Sequence, residues 1–208
     1  MIEELKKKIR YTKLYYFILR FINPKYIKWI KKEISFHSKF LKKNKLIFDL
    51  GANRGDKTYV FTKYSKKVVC YEPETKMYKI LYERFKYKNV KVNNLLISHK
   101  TGKLNFFSIK NKEAYSTLIH KSINSLNIKR KNILIKKKKS STLNKEIKKF
   151  GKPDYIKIDC EGAEYLILKN LKYKIKIISI EANLPYFFNE TSKIILFMEK
   201  KFKSKFNI

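Results

Sequence analysis

The stretch LIFDLGANRG, residues 46–55, joins a run of apolar residues to two closely spaced glycines. A short apolar run that ends in a glycine turn is typical of a buried strand leading into a helix. We expect that helix over residues 56–64. In an open α/β sheet, the carboxyl end of such a strand is where a ligand binds. The stretch therefore predicts both the start of the fold and the position of a site.

The strand-and-helix unit recurs along the chain. Residues 67–72 form a second apolar run that ends at Glu72. Strands that alternate with helices require crossover connections, which predict a parallel sheet. The sequence therefore predicts an α/β protein with a doubly wound, mostly parallel, Rossmann-like sheet. The remaining predicted elements are helix 75–85, strand 90–97, helix 143–150, strand 154–159, helix 163–171, strand 175–181 and helix 191–202.

Two regions flank or interrupt these units. Apolar residues at helical spacing, including Leu5 and Ile9, predict two N-terminal helices that are broken at Pro24. Alternating apolar segments at 104–109 and 133–135 predict an inserted β-hairpin. We expect a helical lead-in over residues 1–43 and one ligand-binding domain over residues 44–208, whose closing C-terminal strand pair is short or missing.

Composition bounds the class of protein. The chain has 208 residues, 44% of them hydrophobic, which suffices for one domain with its own core. Its net charge of +34 suggests a nucleic-acid partner, but only five basic residues are arginines and the lysines are spread along the chain. We therefore favour a solvated lysine-rich surface, with nucleic acid as the alternative partner. Cys70 and Cys160 form no disulfide or zinc pattern, which favours a cytoplasmic protein.

An apolar segment near the N-terminus raises the question of a membrane. Residues 14–22 are too short to span a bilayer and are interrupted by Arg20. We expect no transmembrane segment and a helix that docks on the domain. The alternative is a basic amphipathic helix resting on an anionic membrane, which would make the protein membrane-peripheral.

The glycine turn and the next strand end carry the signs of a nucleoside site. Gly51 and Gly55 let the backbone turn tightly and approach a ligand. Asp49 can anchor a cationic or hydroxyl group, and Glu72 can accept both hydroxyls of an adenosine ribose. The turn reads Gly-x-Asn-x-Gly, which does not provide the pyrophosphate cradle of Gly-x-Gly-x-x-Gly. We therefore expect S-adenosylmethionine in preference to NAD.

A second motif places three carboxylates within six residues. In KIDCEGAE, residues 157–164, Asp159 closes a strand, Glu161 follows in the turn, and Glu164 lies on the first helical turn, where the helix dipole favours an anion. Such a cluster can hold the ammonium group of a methionine moiety and orient or deprotonate an acceptor hydroxyl. Either Asp159 or Glu161 can be the base. The structural alternative is helix capping with surface charge.

These motifs together resemble a known family. The strings IFDLGANRGDKT, VVCYEPE, NNLLISHKTGKL, DYIKIDCEGAEYLILK and ISIEAN resemble the FkbM family of methyltransferases over residues 46–184, and the KIDxEGxE run is the most specific. The resemblance implies a class I methyltransferase fold and O-methylation of a hydroxyl on a sugar, glycan or related metabolite. The residues assigned to S-adenosylmethionine are Asp49, Gly51, Ala52, Asn53, Gly55, Glu72, Pro73 and Ser98, and those assigned to the reaction centre are Asp159, Glu161 and Glu164.

Some features depart from this assignment. His99 and Asn144 differ from the residues usual in the family. We expect no metal, and no catalytic role for His37, His99 or His120. The high charge leaves an RNA or DNA methyltransferase as an alternative, and the short C-terminal region leaves a non-catalytic cofactor-binding scaffold.

Overall fold

The computed structural model describes residues 13–42, 44–86, 88–110, 116–118, 130–181 and 188–206. Leu5, Ile9 and His120 lie outside these ranges. The helices are α1 (Lys13–Ile22), α2 (Pro24–Ser38), α3 (Asp56–Phe61), α4 (Thr75–Phe85), α5 (Leu143–Phe150), α6 (Glu164–Leu168) and α7 (Phe188–Phe202). The strands are β1 (Asn44–Leu50), β2 (Ser65–Tyr71), β3 (Val90–Asn93), β4 (Leu96–Ser98), β5 (Gly102–Ile109), β6 (Ile133–Thr142), β7 (Tyr155–Ile158) and β8 (Ile177–Ile180).

The central sheet has five parallel strands in the order β3-β2-β1-β7-β8. The doubly wound, mostly parallel sheet is thereby confirmed. Leu50 lies opposite Tyr71 on one side and Ile158 on the other. Because parallel strands in this register end at the same level, the residues that follow β1, β2 and β7 meet at one edge of the sheet. In the part of the chain that the structure describes, no strand follows β8.

A second, smaller sheet has the order β4-β6-β5. β5 and β6 are antiparallel, with Gly102 opposite Ser140 and Ile109 opposite Ile133, so the inserted hairpin is confirmed. β6 is longer than expected because the lysine run 136–139 continues the strand. The prediction of one strand over residues 90–97 was wrong, since β3 and β4 belong to different sheets.

Two asparagines account for the break between β3 and β4. Asn93 donates its side-chain N–H to the carbonyl of Cys70, and Asn94 donates to the carbonyls of Glu72 and Pro73. These amides satisfy backbone acceptors at the end of β2 that a continuing strand would otherwise pair. The chain therefore leaves the central sheet at this point and joins β6.

Successive side chains of the central strands point to opposite faces of the sheet, so the core forms two layers. Phe48 and Leu50 of β1 pack on the side of α5, α6 and α7, while Ile47 packs on the side of α3 and α4. A hydrogen-bonded clamp joins the two sheets: Tyr71 Oη and Ser141 Oγ donate to the two carboxylate oxygens of the buried Glu146, at 3.1 and 2.6 Å.

The N-terminal helices dock on the domain through one arginine. Arg84 of α4 is buried, and its guanidinium lies 3.6 Å from the centre of the Tyr16 ring in α1. It also donates to Asp56 Oδ1 at 2.7 Å and to Tyr26 Oη at 3.1 Å. α1, α2, α3 and α4 are therefore tied at one point. None of the described helices is long and apolar enough to cross a membrane.

Element ends differ from the sequence-based expectations by a few residues. α3 ends at Phe61, where residues 62–64 form the turn into β2. α6 covers only Glu164–Leu168, and α7 begins three residues earlier than expected. α4 and α5 have the expected bounds.

Candidate functional site

A cavity of about 170 Å³ lies where β1, β2 and β7 end. Its polar wall comes from the glycine turn, the end of β2 and the acidic turn after β7. The remaining wall is apolar and includes residues of the smaller sheet and of the segments that flank it. The lining residues are Leu50, Gly51, Asn53, Tyr71, Glu72, Pro73, Leu95, Leu96, Ile97, Phe106, Ser116, Leu118, Asp159, Cys160, Glu161 and Ala163.

The structure divides the sequence-predicted site residues into two groups. One group lines the cavity and the other lies behind its walls. The lining residues are Gly51, Asn53, Glu72, Pro73, Asp159 and Glu161. The residues that do not line it are Asp49, Ala52, Gly55, Ser98 and Glu164.

The two glycines serve the packing of the turn. Both have left-handed backbone conformations, with φ of +72° at Gly51 and +82° at Gly55. A Cβ on Gly51 would collide with the carbonyl oxygen of Asp159, and one on Gly55 would lie 2.5 Å from Leu81 and Phe85. These glycines make room for the end of β7 and for α4. Gly51 also lines the cavity, so its close approach to a ligand stays a prediction, whereas Gly55 lies behind the wall.

Asn53 presents an unsatisfied acceptor at the cavity wall. It has a φ of +51°, a conformation in which asparagine is tolerated better than most residues. Its backbone N–H donates to Glu72 Oε2 at 2.8 Å. Among the described residues, no hydrogen-bond donor reaches its buried Oδ1. A buried acceptor without a donor is costly, which adds to the cost of holding Asn53 in this turn.

Glu72 is the buried carboxyl group of the cavity. Its oxygens each accept one backbone N–H, from Asn53 and from Glu74, both at 2.8 Å. Burial raises the pKa of Glu72 to about 7, although these two hydrogen bonds oppose the rise. Each carboxylate oxygen has a further lone pair. Hydroxyl groups that donate to it would favour its ionised form.

Asp49 faces the other side of the sheet, because successive residues of β1 point to opposite faces. It is fully buried, accepts a hydrogen bond from Thr58 Oγ1 at 2.6 Å, and lies 3.8 Å from Lys157 Nζ. The sequence-based expectation that Asp49 anchors a ligand directly is therefore corrected to a supporting position behind the turn.

Lys157 connects the glycine turn to the acidic turn. Its ammonium group donates to the carbonyl of Gly51 at 3.2 Å and to Asp159 Oδ2 at 2.9 Å. Burial lowers the pKa of Lys157, but the carboxylates of Asp49 and Asp159 outweigh burial and raise it overall. The lysine is therefore a buried cation that holds the two turns together.

The two lining carboxyl groups of the acidic turn have opposite pKa shifts. Burial raises the pKa of Asp159, but the Lys157 ammonium and hydrogen bonds outweigh it, so the net direction is down. Burial raises the pKa of Glu161 to about 7, and the charges of Asp159 and Glu181 add to the rise. Glu161 also has a left-handed φ of +51°, and Thr117 Oγ1 donates to its carbonyl at 2.8 Å.

Glu164 and Ser98 make local contacts instead. Glu164 is buried and accepts the backbone N–H of Cys160 at 2.7 Å, while burial raises its pKa to about 7. Its carboxyl group therefore stabilises the turn that carries Asp159 and Glu161. Ser98 is buried with its Oγ 3.1 Å from His99 Nδ1. His37, a residue of α2, is buried against the core.

Sequence reasoning missed Glu181, which follows β8. Partial burial and the neighbouring Asp159 carboxylate raise the pKa of Glu181. Since Ile158 lies opposite Ile180, both acids follow neighbouring strand ends. The strand-end position was the signal that could have identified Glu181. Within the described ranges, no cluster of His, Cys, Asp or Glu is arranged to hold a metal ion.

An open parallel sheet with a cavity at the carboxyl ends of its strands defines a Rossmann-like α/β protein. The family model described as the Methyltransferase FkbM domain matches residues 49–204. The chain therefore belongs to the FkbM methyltransferase family. A search of curated proteins found no match. Among solved structures, the YcgJ protein from Bacillus subtilis is similar over 56% of this chain and 64% of that chain, with 12% sequence identity and a TM-score of 0.28.

Proposed function

We propose that this methyltransferase uses S-adenosylmethionine to methylate a hydroxyl group of a sugar, glycan or related metabolite. The observation that carries the proposal is Glu72, a buried carboxyl group with a pKa of about 7 in a cavity bounded by the acidic turn. Such a group suits a ligand that donates two neighbouring hydroxyls. The choice of a hydroxyl acceptor rests on the motif resemblance.

The cavity residues fit the parts of the cofactor. Glu72 would accept the ribose hydroxyls, and Asn53 would hold Glu72 in place through its backbone N–H. Leu95 and Ile97 contribute an apolar wall suited to an adenine ring. The ionised Asp159 would supply negative charge for the ammonium group of the methionine moiety.

The acidic turn would handle the proton of the acceptor. When bound, the cofactor would supply an electrophilic methyl group, and the cavity would hold the acceptor oxygen close to it. Glu161 would take the acceptor proton, because a pKa of about 7 suits a general base at neutral pH. Asp159 is less suited to this step, since Lys157 lowers its pKa and makes it a weaker base.

Calorimetry of cofactor binding between about pH 5.5 and 8 tests the role of Glu72. We expect affinity for S-adenosylmethionine to rise with pH and to level off above about pH 7, because the ionised Glu72 is the better acceptor. Glu72→Gln should weaken binding by about 1–3 kcal/mol and remove this pH dependence. Glu164→Gln is the matched control: its pKa is also about 7, but it does not line the cavity.

Two results would count against the proposal. The folded wild-type chain would fail to bind S-adenosylmethionine, or would prefer NAD. Alternatively, Glu72→Gln would keep the wild-type affinity and pH dependence, which would remove the ribose assignment. Transfer of a labelled methyl group to fractionated glycans then separates an enzyme from a non-catalytic binding protein, and an RNA fraction in the same assay tests the alternative acceptor.

A further inference from the structure

Helix α1 has apolar side chains on two opposite faces. Tyr16, which is 3% exposed, points inward against Arg84. At about 100° per residue, Leu14, Ile18 and Ile22 project from the opposite half of the helix. They are 55%, 37% and 70% exposed. A helix on a protein surface normally carries polar residues on its outer face. We call Leu14, Ile18 and Ile22 the outer stripe.

Helix α2, which packs against α1, leads a segment rich in exposed lysines. Six lysines of residues 24–42 are exposed, and Glu33 is the single acidic residue of that range. Lys25, Lys28 and Lys32 of α2 are exposed and share one face by their helical spacing. Glu33 is partly buried beside His37, with 3.6 Å between its carboxylate and His37 Nδ1, so the lysines outnumber the acids of this segment six to one.

We propose that the outer stripe and these lysines form a docking surface for an anionic lipid bilayer. An exposed aliphatic stripe beside clustered cations provides both of the signals that bind a helix flat in the headgroup region. At ten residues, α1 is about 15 Å long, which suits a helix lying in the interface.

The composition of the surface favours lipid over nucleic acid. Proteins that bind single-stranded nucleic acid stack bases on aromatic rings and often use arginine. The outer stripe is aliphatic and has one exposed aromatic neighbour, Phe21, and the exposed cations of α2 named above are lysines. Aliphatic side chains gain free energy by leaving water for acyl chains. The proposal is independent of the proposed methyl transfer, because it requires neither cofactor nor acceptor.

Co-sedimentation of the full chain with lipid vesicles tests the docking surface. We expect binding at physiological salt to phosphatidylcholine vesicles that contain about one third phosphatidylglycerol, and much weaker binding to phosphatidylcholine alone. The variant Leu14→Gln/Ile18→Gln/Ile22→Gln should lose at least about tenfold in affinity. The matched control is Leu134→Gln/Ile135→Gln/Leu196→Gln, which removes aliphatic residues that are 48%, 65% and 65% exposed elsewhere. The control should bind like the wild type.

A second variant tests the lysines. Lys25→Gln/Lys28→Gln/Lys32→Gln should weaken binding to the anionic vesicles, with a wild-type thermal midpoint showing that the fold is intact. Failure of the wild type to bind these vesicles would overturn the proposal. Wild-type binding by the folded outer-stripe variant would also overturn it. If that variant lost affinity for single-stranded RNA and kept its affinity for vesicles, the surface would be a nucleic-acid site instead.

Discussion

Asp159 and Glu161 are separated by one residue, yet their pKa values shift in opposite directions. The difference arises because Lys157 contacts one of them and not the other. Buried carboxyl groups with separated pKa values can take different roles in one site. We therefore propose that Glu161 accepts the proton of the acceptor hydroxyl and that Asp159 remains negatively charged.

Glu161→Gln should lower turnover by about 10²-fold or more at neutral pH, the scale of general base catalysis. Cofactor affinity should change little, since the proposed ribose and ammonium contacts remain. In the wild type, turnover should fall as pH decreases through about 7, because protonated Glu161 cannot accept a proton. The measurement is initial rate against pH, once an acceptor has been identified.

Glu164→Gln is the comparison for that experiment. Glu164 accepts a hydrogen bond from the backbone of its own turn. The substitution should therefore mainly lower the free energy of unfolding, with a smaller effect on turnover. Equal losses of turnover in the Glu161 and Glu164 variants would contradict the assignment of the base.

Gly51→Ala should destabilise the fold by about 2–4 kcal/mol, from a strained φ and a collision of Cβ with the Asp159 carbonyl. Urea denaturation measures this loss. Gly102→Ala is the control: Gly102 also has a positive φ, but its added Cβ would meet no atom within 4 Å. Equal losses in the two variants would show that the collision is relieved at no cost.

At the scale of elements, hydrophobic period predicted most helices and strands, and α4 and α5 match to the residue. The break between β3 and β4 could not be predicted in this way, because it depends on Asn93 and Asn94 reaching the distant end of β2. The candidate site shows the same limit. The positions of the strand ends in the sequence predicted that Glu72 and the acidic turn lie close together. The pKa of Glu161 and the proximity of Glu181 to Asp159 depend on tertiary contacts and could not be predicted.

The docking of α1 and α2 should depend on Arg84. Arg84→Met should lower the free energy of unfolding by about 2–3 kcal/mol, since it leaves Asp56 and the carbonyl of Arg54 without their buried donor. Chemical denaturation measures the change. Lys86→Met, which removes an exposed pair with Glu83, should cost less than about 1 kcal/mol. Similar values for the two variants would show that Arg84 does not hold the helices.

At the scale of the whole molecule, a net charge of +34 opposes compaction. Raising sodium chloride from about 20 to about 300 mM should therefore raise the thermal midpoint by several degrees, because salt screens like-charge repulsion. Differential scanning calorimetry measures the shift, and choline chloride at equal ionic strength should reproduce it. A midpoint that stays constant or falls with salt would show that ion pairs outweigh repulsion.

The clamp formed by Tyr71, Glu146 and Ser141 bears on how the protein can select its acceptor. Sliding or swinging the small sheet with α5 against the central one would break the buried hydrogen bond from Tyr71 to Glu146, which is costly to lose. Both sheets contribute walls to the cavity, so this hydrogen bond helps to hold those walls at their observed separation. These walls would then select an acceptor by their existing shape and chemistry, without a closing motion of the small sheet.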